Sequence, residues 1–370
     1  MSQVEILESP IKSEGDKKQY RLIKLQNGLK ALLIKSHTEE NQTEESNAAA
    51  SLTIGVGSFD EPKEVGGLAH FLEHMVFMGN KKYSAESGLN DFVSSHGGKR
   101  NAMTSDEFTI YFFDIQENAL SEALDRFAQM FISPLLSKGA MQRERESVDS
   151  EYQMALSSEG ARIVSIMKML VKEDHPASFF DFGNLKTLKD EISDDDLHAA
   201  LVEFYKKYVA SKSYVCVQSR RSLEEIQAMV VEKFAELPTG SEEVKPAPSF
   251  NFHNIFKSDF YEKIYFVRPK NPKKALVITW ILPPQIQFSD CKPLNHVMGI
   301  FDNPGSGGIA SVLKERNLTL DFQMNQEQEG FGYNHEFCLA RLLIELTENG
   351  AENIEMILEL IFSYLLMIQQ

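Results

Sequence analysis

Cysteine is scarce in this chain. Cys216, Cys291 and Cys338 are the only three in 370 residues, and their scatter excludes a disulfide framework and a cysteine-built metal knuckle. Basic charge is short as well: 38 Lys and Arg stand against 54 Asp and Glu, a formal net charge of -16. Nucleic-acid phosphates and anionic membranes are therefore poor partners. Such a balance is common among cytosolic proteins, and it also suits cationic peptides. An apolar leader is missing from the first 20 residues. No apolar run is long enough to span a bilayer either, since Glu359 interrupts the most apolar window, 356–368, which reads as a core helix. These absences point to a cytoplasmic location. Glycine (21) and proline (13) are too few for a low-complexity chain, and 42% hydrophobic residues suffice for two ordinary domains.

A polar tail (1–19) comes first, and residues 20–35 alternate in strand fashion around an Asn27-Gly28 turn. A polar, acidic loop (37–46) leads to a buried strand over 49–58, helices over 67–78 and 84–96, and a β-rich run over 108–115. Leu120, Ala123, Leu124, Phe127 and Phe131 then fall at helical spacing. An acidic helix is expected over 139–156. Ser193 with Asp196, and Ser222 with Glu225, have the spacing of capping boxes on either side of a strand at 214–218. Proline and mixed charge mark a linker at 238–255, separating a first domain (20–237) from a second (256–370). From residue 275 the order strand, helix, helix, strands, helix repeats that of 49–131, with no counterpart to the region after Ser133. The chain stops inside a helix without a cap, so the second domain is expected to be incomplete.

The chemistry concentrates in His70-Phe71-Leu72-Glu73-His74. Histidines four apart project from one helix face and can meet a single Zn²⁺, while Glu73 between them can reach an attacking water without being a ligand. The helix is otherwise apolar (Leu68, Phe71, Leu72, Met75, Val76, Phe77), and buried polar groups there need partners that a metal would supply. A catalytic zinc takes three protein ligands. On the acidic helix, Glu144, Val148 and Glu151 share a face, but spacing alone does not choose among Glu144, Glu146, Asp149 and Glu151.

The chain resembles the pitrilysin family of inverted-motif zinc peptidases, in its insulysin–nardilysin branch and nearer the nardilysin side. The resemblance rests on the segment His70 to Gly79, on Asn101-Ala102 with Thr104-Ser105, on 123–129, on Val148-Asp149-Ser150-Glu151, and on Gly183-Asn184. It implies an α+β fold of tandem homologous domains, each a mostly antiparallel sheet with helices packed on one face. It implies one Zn²⁺ per chain on His70, His74 and Glu151, with Glu73 as base. Glu144 is implied as the acid behind a ligand histidine, and Asn101 and Ala102 as the place where substrate backbone adds as a strand. The implied activity is that of a metalloendopeptidase cleaving peptides or small unfolded polypeptides. The second domain departs from the motif: His296 stands alone and reads as packing, and 299–306 lacks the histidine of the family's exosite. Residues 39–45 are at most a remnant of the acidic insertion of nardilysins. Relatives close four such domains around a chamber, so self-assembly or pairing with a chain supplying the C-terminal half is expected. The competing reading is a truncated, non-catalytic relative that binds peptides or partner peptidases without turnover.

Overall fold

The computed structural model describes residues 4–36, 47–240, 255–261, 263–270, 273–326 and 330–370. The acidic loop at 37–46 and most of the expected linker lie outside the described residues. In chain order the elements are β1 (Glu5–Leu7), β2 (Gln19–Lys24), β3 (Lys30–Lys35), β4 (Asn47–Ile54), α1 (Leu68–Val76), α2 (Gly88–Ser95), β5 (Lys99–Thr104) and β6 (Thr109–Gln116). They continue with α3 (Leu120–Ile132), α4 (Lys138–Ala155), α5 (Glu159–Leu170), α6 (Asp194–Tyr205), β7 (Ser213–Ser219) and α7 (Leu223–Phe234). The last stretch holds β8 (Ala275–Leu282), α8 (Pro293–Phe301), α9 (Ile309–Glu315), β9 (Thr319–Gln326), β10 (Cys338–Leu346), α10 (Glu348–Glu352) and α11 (Ile354–Ile368).

These elements form two compact units. One is Met1–Ala155 with Phe179–Lys245; the other is Leu156–Ser178 with Pro246–Gln370. The excursion 156–178, which the sequence reading kept in the first domain, belongs to the second unit for a local reason. Val171 bridges Phe256, and the N–H groups of Lys172 and Lys257 donate to the carbonyls of Ile255 and Leu170 at 2.9 and 3.0 Å.

The first unit is built on a seven-stranded sheet in the order β1-β2-β3-β7-β4-β6-β5, antiparallel except for the β3–β7 pair. Alternation decides its faces. In β4, Ala48, Ala50, Leu52 and Ile54 are buried while Asn47, Ala49, Ser51 and Thr53 are not; in β6, Tyr111, Phe113 and Ile115 are buried beside an exposed Phe112. The buried face packs under α1, α3 and α7, whose apolar stripes (Phe71, Leu72, Met75; Leu124, Phe127, Phe131; Ile226, Val230, Phe234) share one core with it. Each large side chain sealed there contributes about 1.5–3 kcal/mol. Ser222 forms a complete capping box with Glu225, whereas the Ser193 hydroxyl accepts from the Asp196 N–H without the reciprocal backbone bond.

The second unit repeats this design. Its sheet runs β8-β10-β9, all antiparallel, with α8 and α9 between the first and second strands. That is the order β4-β6-β5 of the first unit, where α1 and α2 occupy the same place in the chain. A second core joins Phe301, Leu313, Phe322, Leu342, Ile344, Ile357 and Ile361. The two units are tandem copies of one α+β plan.

His175, in the second unit, is 1% exposed, and its Nδ1 accepts the Ala177 N–H at 3.1 Å, so the ring is neutral with its proton on Nε2. Burial pushes its pKa down to about 4, against an opposing pull from Asp174. The folded ring thus stays neutral while an unfolded one takes a proton below about 6.5. Stability from this group is complete above that value and is lost as pH falls towards 4, by up to about 1.4 kcal/mol per pH unit. Thermal unfolding between pH 7 and pH 5 should fall more steeply for the wild type than for a His175→Gln variant; parallel slopes contradict this.

Candidate metal centre

Helix α1 starts where the chain cannot continue as strand. Gly67 takes a left-handed φ of 88°, and the buried Glu61 carboxylate accepts from the N–H groups of Gly67 and Ala69, each at 3.0 Å. This caps two of the unpaired N–H groups that open any helix and places negative charge at its positive end. The helix buries Leu68, Ala69, Phe71, Leu72, Met75 and Val76, which leaves His70 and His74 on a face that is neither sealed nor open. Their side chains are each 16% exposed, and the rings meet edge-on with centroids 5.0 Å apart.

Each imidazole has one nitrogen engaged and one left over. His70 Nδ1 lies 2.7 Å from the Phe182 carbonyl, which only accepts, so Nδ1 carries the proton and Nε2 keeps its lone pair. His74 Nδ1 lies 3.2 Å from Glu144 Oε2, with the same consequence for its Nε2. Both free nitrogens face Glu151: His70 Nε2 is 3.4 Å from Oε2 and His74 Nε2 is 3.6 Å from Oε1. Ligand atoms of His70, His74 and Glu151 all lie within 4.8 Å of one another, the one such trio among the described residues. Tetrahedral zinc with bonds of about 2.0–2.2 Å holds its donors roughly 3.3 Å apart. The donor set therefore fits that ion. Two histidines with fixed tautomers, a carboxylate and a carboxylate behind one imidazole are the usual surroundings of zinc.

Electrostatics agree with the distances. Burial alone would lower the His70 pKa, but when a proton rather than an ion sits on Nε2, its hydrogen bond to Glu151, with the Phe182 carbonyl and the charges of Glu73 and Glu151, outweighs burial and raises the pKa. The same hydrogen bond to His70 lowers the Glu151 pKa, against partial burial.

On the acidic helix α4 the four carboxylates have different surroundings. Val148 is fully buried, and Glu144 and Glu151 on its side of the helix lie against His74 and His70. Glu146 instead pairs with Lys189 at 3.2 Å, and Asp149 accepts the Leu185 N–H at 3.0 Å. Glu73 sits between the histidines, 8% exposed, and accepts from Thr104 Oγ1 at 2.6 Å. Thr104 ends β5, the edge strand of the sheet, so Asn101 and Ala102 lie on a strand that, among the described residues, pairs on one side alone.

Glu61, the Phe182 carbonyl and Thr104 escaped sequence reasoning. The one available sign was the glycines: Gly67 and Gly183 face each other, and a Cβ on Gly67 would stand 2.2 Å from Gly183 Cα. That close approach is what brings the Phe182 carbonyl against His70.

A family profile described as insulinase (peptidase family M16) matches residues 37–173, and one described as the M16 inactive domain matches residues 196–370. Nardilysin of Pongo abelii is 38% identical over 346 residues, 92% of this chain and 30% of that protein. Insulin-degrading enzyme-like 1, peroxisomal, of Arabidopsis thaliana is 34% identical over 363 residues, covering 97% and 36%. The crystal structure of pitrilysin superposes with a TM-score of 0.84 at 26% identity, covering 100% of this chain and 38% of that one. The chain spans about a third of the length of the curated relatives it matches. Among the described residues no helix is long and apolar enough to cross a membrane.

Proposed function

The chain belongs to the M16 insulinase family of peptidases, and from that premise we propose that it is a zinc-dependent metalloendopeptidase acting on peptides or small unfolded polypeptides. The observation that carries this reading is the His70, His74 and Glu151 trio, its three donors within 4.8 Å and both histidines held in the ligating tautomer. These residues would hold one Zn²⁺, which when bound acts as a Lewis acid that activates water and polarises the scissile carbonyl. Glu73, within the same turn of helix and not a member of the trio, takes the proton of the attacking water and returns it to the leaving amine. Glu144 orients His74 through Nδ1, and the Phe182 carbonyl does the same for His70. The free edge of β5 pairs with substrate backbone along Asn101 and Ala102, which positions a peptide bond beside α1. The acidic balance of the whole chain, -16, suits cationic peptides. Turnover of an internally quenched peptide by the zinc-loaded chain, compared with Glu73→Gln, tests the proposal.

One observation favours a second reading. The chain spans about a third of the length of its relatives, and the second reading is a chain that binds peptide without turnover. A chain that binds zinc and peptide but turns over no faster than Glu73→Gln is a binding relative, not an enzyme by itself.

A further inference from the structure

We propose that Thr104 is a positioning residue that ties the general base to the strand receiving the substrate, an inference resting on the peptidase reading above. Its hydroxyl donates to Glu73 Oε2 at 2.6 Å, and the Glu73 side chain lies in a site only 8% exposed. A carboxylate there has two oxygens with different duties. The one held by Thr104 is committed as an acceptor, which leaves Oε1 as the oxygen that receives the proton of the attacking water. The bond also fixes the plane of the carboxylate, the geometric condition for proton transfer.

Thr104 is itself held firmly. It pairs with Thr109 across the β5–β6 ladder, and Thr109 Oγ1 donates to the Val56 carbonyl at 2.9 Å. The turn beyond is closed by Ser105 N–H to Phe108 O at 2.8 Å. It is clamped to the next segment by Ser58 N–H to Ser105 O at 3.0 Å and Phe59 N–H to Asp106 O at 2.8 Å. Threonine is β-branched, so few χ1 rotamers are open to it. Beneath Glu73, Tyr111 and Tyr208 are almost completely buried with hydroxyls 3.1 Å apart, and burial raises both pKa values, so both hydroxyls stay neutral. Asn101, Ala102 and Thr104 belong to the same strand. A peptide added along β5 is thereby registered against the base by the continuous backbone of 101–104 rather than by a flexible connection.

A merely structural threonine would satisfy a buried carboxylate and nothing more. The two roles separate in kinetics. Thr104→Val keeps the branched shape and removes the hydroxyl; Thr104→Ser keeps the hydroxyl. With the zinc-loaded chain and a quenched peptide, Thr104→Val should lower kcat about tenfold to a hundredfold. KM should move by no more than about twofold, and zinc content should not move. Thr104→Ser should recover most of the loss. A Thr104→Val chain with wild-type kcat overturns the role of Thr104 alone, as does a loss confined to zinc content. Wild-type turnover no faster than that of Glu73→Gln overturns the peptidase reading and this role with it. A thermal double-mutant cycle of Thr104→Val with Glu73→Ala, which removes the acceptor, adds a readout independent of turnover: additive shifts contradict the bond.

Discussion

Replacing Glu73 by Gln should cost the zinc-loaded chain about a hundredfold to ten-thousandfold in kcat on a quenched peptide, the usual range for removing a general base. The substitution changes little else. Glutamine has the shape of glutamate, and its amide oxygen can still accept from Thr104 Oγ1, whose present bond is 2.6 Å long. Glu73 is not among the three residues whose donors converge, so zinc should stay bound. What disappears is a proton acceptor beside the water site. A rate that survives Glu73→Gln would mean that another group takes the proton, and the assignment of the base would fail.

The second large effect belongs to a residue without a side chain. Gly67→Ala should destabilise the first unit by more than about 3 kcal/mol, which for a body of this size lowers the unfolding midpoint by roughly 6–12 °C. Two costs add. An L-residue in the left-handed region costs about 1–2 kcal/mol, and Gly67 has a φ of 88°. Its new Cβ would also stand 2.2 Å from Gly183 Cα and 2.3 Å from Gly183 N, backbone atoms that no rotamer change can move aside. Relief requires the 182–184 segment to retreat from α1, which withdraws the Phe182 carbonyl from His70 Nδ1. Zinc affinity should therefore fall at least about tenfold alongside stability. Differential scanning fluorimetry with and without zinc reads both, and an unchanged midpoint would contradict the packing described.

Local pattern made much of this legible. The i, i+4 histidines, the apolar face of α1 and the shared face of Glu144, Val148 and Glu151 follow from helical periodicity. Strands β3, β7 and β8 follow from alternation or apolar runs. The tandem repeat was visible as a repeated order of elements, and the sheet orders β4-β6-β5 and β8-β10-β9 match it. What remained hidden depends on contacts between distant segments. That Glu146 and Asp149 are engaged elsewhere depends on Lys189 and Leu185, which lie in a later stretch. Glu61 carries no sign of its role, because nothing nearby in sequence says that its carboxylate caps α1. Residues 99–104 carry no apolar alternation, so β5 as an edge strand emerges only from its pairing with β6. Helix α5 was not anticipated, and its place in the second unit is set by backbone bonds to Ile255 and Lys257.

Zinc held by His70, His74 and Glu151 underlies every role proposed for this site, and metal content tests it most directly. The purified chain, dialysed against metal-free buffer after zinc loading, should retain one equivalent of zinc by elemental analysis, and a Glu151→Gln chain that still folds should retain far less. Zinc absent from the wild type, or retained equally by both proteins, would contradict the account.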